Sequence, residues 1–497
     1  MKKLIITVLL ICLFMLVNHS SYANNISLSN ISLTGQNTAE HYIMVKFDIS
    51  WENSWRTSSG PNNRDAAWVF VKYRTTGGQW HHAWLNNTGN INPPGSTISP
   101  GLLDPDLPFN ATTNPGMGVF IYRDADGTGT FSKTGVQLRW NYGSNNLDDN
   151  ATIDIRVFAI EHVLVPQGSF SAGSGGTENS AFYKYPSVTE PYPVTSENEI
   201  SVGTTPNNLY YSSSTYGGDQ LGPVPAAFPK GYKAFYCMKY EISQQGFVDF
   251  LNCINAVQAT NHYSNFGSSN RYGISLSIGV YSTTFPYVAC SYLNWADLTA
   301  YFDWCGLRPL TELEFEKACR GILPPVPDEY AWGTTELAYN PYTINNNGAN
   351  NENILTNYSS TAGNAAYSWT TPLNGSINGP MRVGIFAGNT GNTSRVTAGA
   401  TYYGIMEMSG NLLEHFVTVG NPAGRLFTGM HGNGELNTSG NADVANWPGI
   451  SSLGAGFRGG YWFYHAWYLR VSERSGAAGT DANRYNSDGG RGGRTAP

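Results

Sequence analysis

Ten residues, YIMVKFDISW from Tyr42 to Trp51, alternate so strictly that few folds accommodate them. Ile43, Val45, Phe47, Ile49 and Trp51 fall on one side, and Met44, Lys46, Asp48 and Ser50 on the other. A period of two belongs to a strand with one buried face, because successive side chains leave a pleated backbone in opposite directions. VQLRW (Val136, Leu138, Trp140) and IDIRV (Ile153, Ile155, Val157) repeat the alternation, with SSGPNN and INPPGS as turn-forming separators. From Asn24 to Phe158 the pattern predicts an antiparallel all-β sandwich, whose simplest role is a spacer or docking module. In RDADGTGT, Asp124 and Asp126 precede a glycine as in calcium loops, but no third oxygen ligand or distant glutamate follows at the right interval. A turn between strands is the expectation there. His81 and His82 are neighbours in a predicted strand, so they face opposite ways and do not share a metal.

From Ala159 to Pro497 helical spacing appears among long irregular stretches. SQQGFVDFLNCI offers Ser243 as N-cap and places Phe247, Phe250, Leu251 and Ile254 on one face. NWADLTAYFDWCG does the same with Trp295, Leu298, Phe302 and Cys305, stopped by Gly306. TELEFEKACRG opens with a capping box from Thr311 to Glu314 and closes at Gly321. Three helices with one apolar face each imply a shared core. Tyr339 to Thr401 is rich in Asn, Gly, Thr and Ser; a loop that long is functional, metal-stitched or mobile.

Only 13% of the 497 residues are charged and the net charge is -7, which excludes the basic footprint of a nucleic-acid binder. Residues 1–23, MKKLIITVLLICLFMLVNHSSYA, have the form of an export signal: Lys2 and Lys3, an apolar run from Leu4 to Val17, and small Ser21 and Ala23 before a cut at Asn24. Ile11 stands before Cys12 where lipidation requires a small residue, and no later run reaches the ~18 apolar residues of a membrane span. The expectation is a soluble exported protein: periplasmic, cell-surface or extracellular. Cys237, Cys253, Cys290, Cys305 and Cys319 then form an odd set, allowing at most two internal bridges, and none has the CxxC spacing of a tetrahedral metal site.

Five segments, in fixed order, resemble the sulfatase-modifying-factor family, which contains the formylglycine-generating enzymes. They are FYCMKYEISQQGFVDFLN (Phe235–Asn252), GLRPLTELEFEKACRG (Gly306–Gly321), YAWG (Tyr330–Gly333), GIMEMSGNLLEH (Gly404–His415) and FRGGYWFYHAWYLRVSERS (Phe457–Ser475). HVLVPQGSFSAGSG (His162–Gly175) is similar to the family's opening strand. Over Ala159–Pro497 the resemblance implies an α+β domain, a variant of the C-type lectin fold rich in irregular loops. It further implies oxidation of a peptide cysteine to formylglycine with oxygen and copper(I) held by two cysteines, since a soft cuprous ion prefers thiolates. Arg458, Gly459 and Gly460 match that motif, but Tyr461 stands for its serine, Tyr464 for the first cysteine and Leu469 for the second, and His465 falls at a position near the active site. No catalytic residue is therefore assigned, and copper is not expected. A second branch of the family, with iron held by a His-x-x-x-His-x-Glu pattern, finds no counterpart among the nine histidines. The resemblance does imply calcium at Glu407, Gly410, Leu412 and Glu414, two carboxylates and two backbone carbonyls. A second family calcium site wants an aspartate where Val396 or Thr397 stands.

The aromatic run then suits a glycan or an extended peptide, with Trp462, Tyr464, His465, Trp467 and Arg470 as expected contacts. Read as a strand, it places Trp462, Tyr464 and Tyr468 on one face, with Tyr461, Phe463, His465 and Trp467 opposite. Arg458, Arg470, Arg474, Arg491 and Arg494 either bind anions or hold loops as buried pairs. The leading expectation is an exported noncatalytic binding protein on a formylglycine-enzyme scaffold. The alternatives are a formylglycine-generating oxidase of non-standard design and a receptor with a diversified C-terminal segment.

Overall fold

In the computed structural model, residues 25–212, 216–368 and 377–497 are described; the expected export signal and Cys12 lie outside them. The first eight strands are β1 (Ser27–Asn37), β2 (Tyr42–Arg56), β3 (Asp65–Thr75), β4 (His81–His82), β5 (Ser96–Leu102), β6 (Gly116–Arg123), β7 (Gly127–Trp140) and β8 (Ile153–Val165). β1, β2 and β7 form a three-stranded antiparallel sheet in which Ile43 faces Trp140, Val45 faces Leu138 and Phe47 faces Val136. The alternation of β2 does what its period requires, burying Val45, Phe47, Ile49 and Trp51 against Val69, Val71, Val119 and Ile121 of a second sheet. Within RDADGTGT, Asp124–Asp126 form the turn between β6 and β7, with Asp126 accepting from the amide and hydroxyl of Ser58.

That second sheet does not stop at Phe158. Its order is β13-β9-β8-β3-β6-β5, with β4 beside β3, where β9 is Phe235–Met238 and β13 is Gly493–Thr495 near the C-terminus. The expected boundary between Phe158 and Ala159 falls inside β8, and no linker separates the two regions. The reason lies in β3. Asp65–Tyr73 are all buried: Ala67, Val69 and Val71 face the small sheet, while Ala66, Trp68 and Phe70 face the helical layer. AAWVFV is a continuous apolar run, the pattern of a strand covered on both sides. Asp65 fixes the join, accepting from the Trp51 indole at 2.8 Å and the Ser54 hydroxyl at 2.8 Å, with the Lys239 ammonium at 3.7 Å.

Helix α1 (Gln244–Leu251) begins at Ser243, whose side chain accepts from the Gly246 amide. A short helix α2 (Ala256–His262) follows, then α3 (Trp295–Trp304) and α4 (Glu312–Arg320), the last with its capping box formed and Gly321 at φ 67°. Contrary to the expectation of one core for three helices, α1 and α3 pack together on the sheet, whereas Phe315, Ala318 and Cys319 of α4 belong to a cluster with Ile405, Met408 and Phe416. Tyr339–Thr401, where described, is stitched by asparagines: Asn364 accepts from the Ser359 amide and donates to the Thr397 carbonyl. It includes a small hairpin of Thr343–Asn345 and Asn353–Thr356. Near the C-terminus, β10 (Leu413–Val417) pairs antiparallel with β11 (Ala455–Arg458) and parallel with β12 (Asp488–Gly489). All five cysteines in the described residues are free and buried. Burial pushes the Cys253 thiol up to about 11 and the Cys237 thiol up to about 12.

Candidate functional site

The run from Arg458 to Arg470 is not the strand its composition predicts. β11 ends at Arg458, Gly459 and Gly460 take φ of 88° and 68°, and a 3-10 turn spans Ala466–Leu469. A Cβ on Gly460 would stand 2.6 Å from the Leu469 side chain, so only glycine allows the chain to fold back so closely. The reversal sets Tyr461 against Tyr464 at 4.2 Å between centroids and Tyr464 against Tyr468 at 4.4 Å, both pairs tilted. The Trp462 amide donates to the Asn411 carbonyl and the Ser368 amide to the Tyr464 carbonyl, tying the segment to neighbouring loops.

The expected contacts separate accordingly. Trp462 is core, 3% exposed, with its indole donating to the Asn486 carbonyl. Arg470 pairs with Asp328 at 2.9 Å. His465 and Trp467 lie against one another in a tilted ring contact at 4.8 Å. Leu469 is fully buried. Of the five, Tyr464 alone lines the cavity of about 580 Å³ that opens beside β10 and β11. Its other walls come from Tyr468, Tyr485, Phe457, Asp481, Ser487 and Asp488, most of them supplied by the GTDANRYNSDGG segment. That segment carries no aromatic density, and only the parallel pairing of β12 with β10 brings Asp488 to the cavity. A hollow of about 800 Å³ lies elsewhere, beside Trp55, Lys239 and Tyr402, and includes none of the aromatic run.

The arginines hold loops. Arg458 donates to Glu312 at 2.9 Å, to Glu316 at 2.8 Å and to the Val471 carbonyl at 2.7 Å. Arg474 also pairs with Glu312, and Arg494 donates to the Gly306 and Leu102 carbonyls. Burial alone would raise the Glu312 and Glu316 carboxyls, yet Arg474, Arg458 and Arg320 hold both below the usual range.

Copper(I) does not fit these residues. Tyr464 and Leu469 offer a phenol and an alkyl chain where copper(I) would need thiolates. At the expected calcium position, Arg491 donates to both Glu414 oxygens at 2.7 Å, so that carboxylate is already neutralised. The Leu412 amide donates to Glu241, and Glu407 accepts from the Gly384 amide with one oxygen. Among the described residues, no group of three or more His, Cys, Asp or Glu side chains could hold a metal ion.

A family model, described as the sulfatase-modifying factor enzyme 1-like domain, matches residues 149–486, more than half of the chain. The chain belongs to that family. A solved structure titled Treponema denticola variable protein 1 is similar at 13% identity and a TM-score of 0.30, covering 68% of this chain and 96% of its own. No curated protein matches.

Proposed function

We propose that this chain is an exported, noncatalytic binding protein on the formylglycine-enzyme scaffold, with its ligand seated against Tyr464 and Tyr468. The observation that carries this reading is the replacement of a reacting centre by a receptive surface. Where the family resemblance puts the first copper thiolate, a tyrosine ring forms the wall of the 580 Å³ cavity, and the second position is buried aliphatic core. A tyrosine wall buries the apolar face of a ligand and leaves hydroxyls at its rim. Among the described residues the five cysteines are buried, and burial pushes each thiol up, which disfavours the thiolate there.

Two measurements test this. A cysteine peptide of sulfatase type, incubated with the protein, copper(I) and oxygen beside an active family enzyme, should show no loss of thiol to aldehyde by mass spectrometry; conversion would sink the noncatalytic reading. Glycan and peptide arrays should give a ligand whose binding falls about tenfold or more in Tyr468→Ala, the usual cost of truncating a central aromatic contact.

A further inference from the structure

Resting on that reading, we propose that the cavity accepts a positively charged side chain, lysine or arginine, of an extended peptide, and that Asp488 is the residue that receives it. Four charged groups line the hollow: Arg458, Glu473, Asp481 and Asp488. The one cation is spent, since Arg458 is buried between Glu312 and Glu316. Glu473 is engaged by the Asn179 and Ser475 amides, and Asp481 accepts from the Asn483 amide and side chain at its rim.

Asp488 differs. It is 2% exposed; one oxygen accepts from the Ser487 hydroxyl at 2.6 Å, and the other is buried with no hydrogen-bond partner. A carboxylate so placed is costly unless a donor arrives, and a charged donor repays most. Tyr464 and Tyr468 add ring faces beside it, which attract ammonium and guanidinium groups. Burial, together with the Asp481 charge and against the Ser487 hydrogen bond, pushes the Asp488 carboxyl up to about 7. An arriving cation therefore stabilises the ionised form and displaces a proton. A volume of about 580 Å³ exceeds one side chain, which leaves room for the backbone that carries it.

The test is titration calorimetry on the whole protein with acetylated pentapeptides, selected on arrays, whose central residue is lysine, norleucine, arginine or citrulline. Lysine and arginine peptides should bind about tenfold or more tighter than their neutral counterparts. Asp488→Asn should close that gap while keeping the wild-type melting temperature. Should that variant misfold, the wild-type comparison stands alone, supported by proton release measured in buffers of different ionisation heat. Equal affinity for lysine and norleucine peptides overturns the cation and leaves the binding protein intact. Binding of a neutral oligosaccharide, lost in Asp488→Asn and without peptide binding, replaces the peptide with a sugar. Silence on every array overturns this inference together with the binding reading, whereas aldehyde formation overturns the noncatalytic part alone.

Discussion

The region before Phe158 and the region around the cavity hold their backbones by opposite means. In the first, ladders of β2 against β7 and β3 against β8 satisfy the main chain, and apolar faces such as Phe47 and Val69 do the fastening. Around the cavity regular structure is sparse, and buried guanidiniums clamp the loops: Arg458 and Arg474 on Glu312, Arg491 on Glu414. Sheet packing tolerates a lost methyl group, because only that group's transfer free energy and a small cavity are forfeited. A buried ion pair does not tolerate loss of one partner, because the other charge stays behind without water. A cavity wall made of loops is held in shape here at the expense of electrical vulnerability.

The sharpest way to break the contrast is to cut it. A fragment ending at Phe158 loses most of β8 and bares Trp68, Phe70 and Phe120; it should aggregate rather than elute as a monomer in gel filtration, although its alternating strands are intact. Glu312→Ala, which leaves buried Arg474 without its carboxylate and Arg458 with Glu316 alone, should cost about 3–5 kcal/mol in urea unfolding. Acid should act on the same clamp. Glu312 and Glu316 titrate below their unfolded values, so their stabilisation is complete above about pH 4.5 and is lost as pH falls through the lowered folded values. Glu407 and Asp488, both raised to about 7 by burial, act oppositely and add stability as pH falls from above 7 toward their unfolded values. The melting temperature should therefore rise gently below pH 7 and then fall below about 4.5, with hydrogen exchange placing the acid loss in the clamped loops. Ile49→Val, in the sheet core, should cost only about 0.5–1.5 kcal/mol by the same urea measurement.

Much of the scaffold was legible because single residues dictate it. The period of two in β2 and β7, the cap at Ser243 and the Thr311–Glu314 box each act over a few residues, and the structure contains all of them. What escaped depends on distance along the chain. AAWVFV reads equally as a buried strand or a helix segment until both covering layers are known, and α2 is too short for periodicity to announce it. The aromatic run has the composition of an alternating strand, but Gly459 and Gly460 reverse it, so Trp462 goes inward and Tyr464 to the wall. Asp488 is one acid in SDGG; only its parallel pairing with Leu413 makes it part of a site.

The five shielded thiols carry a consequence for how the chain matures. With none joined to another and each enclosed by packed side chains, the covalent skeleton of the described residues is a single unbranched thread. Folding of that part then needs no oxidant and no isomerase to sort bridges, and it keeps the same connectivity in a reductant as in air.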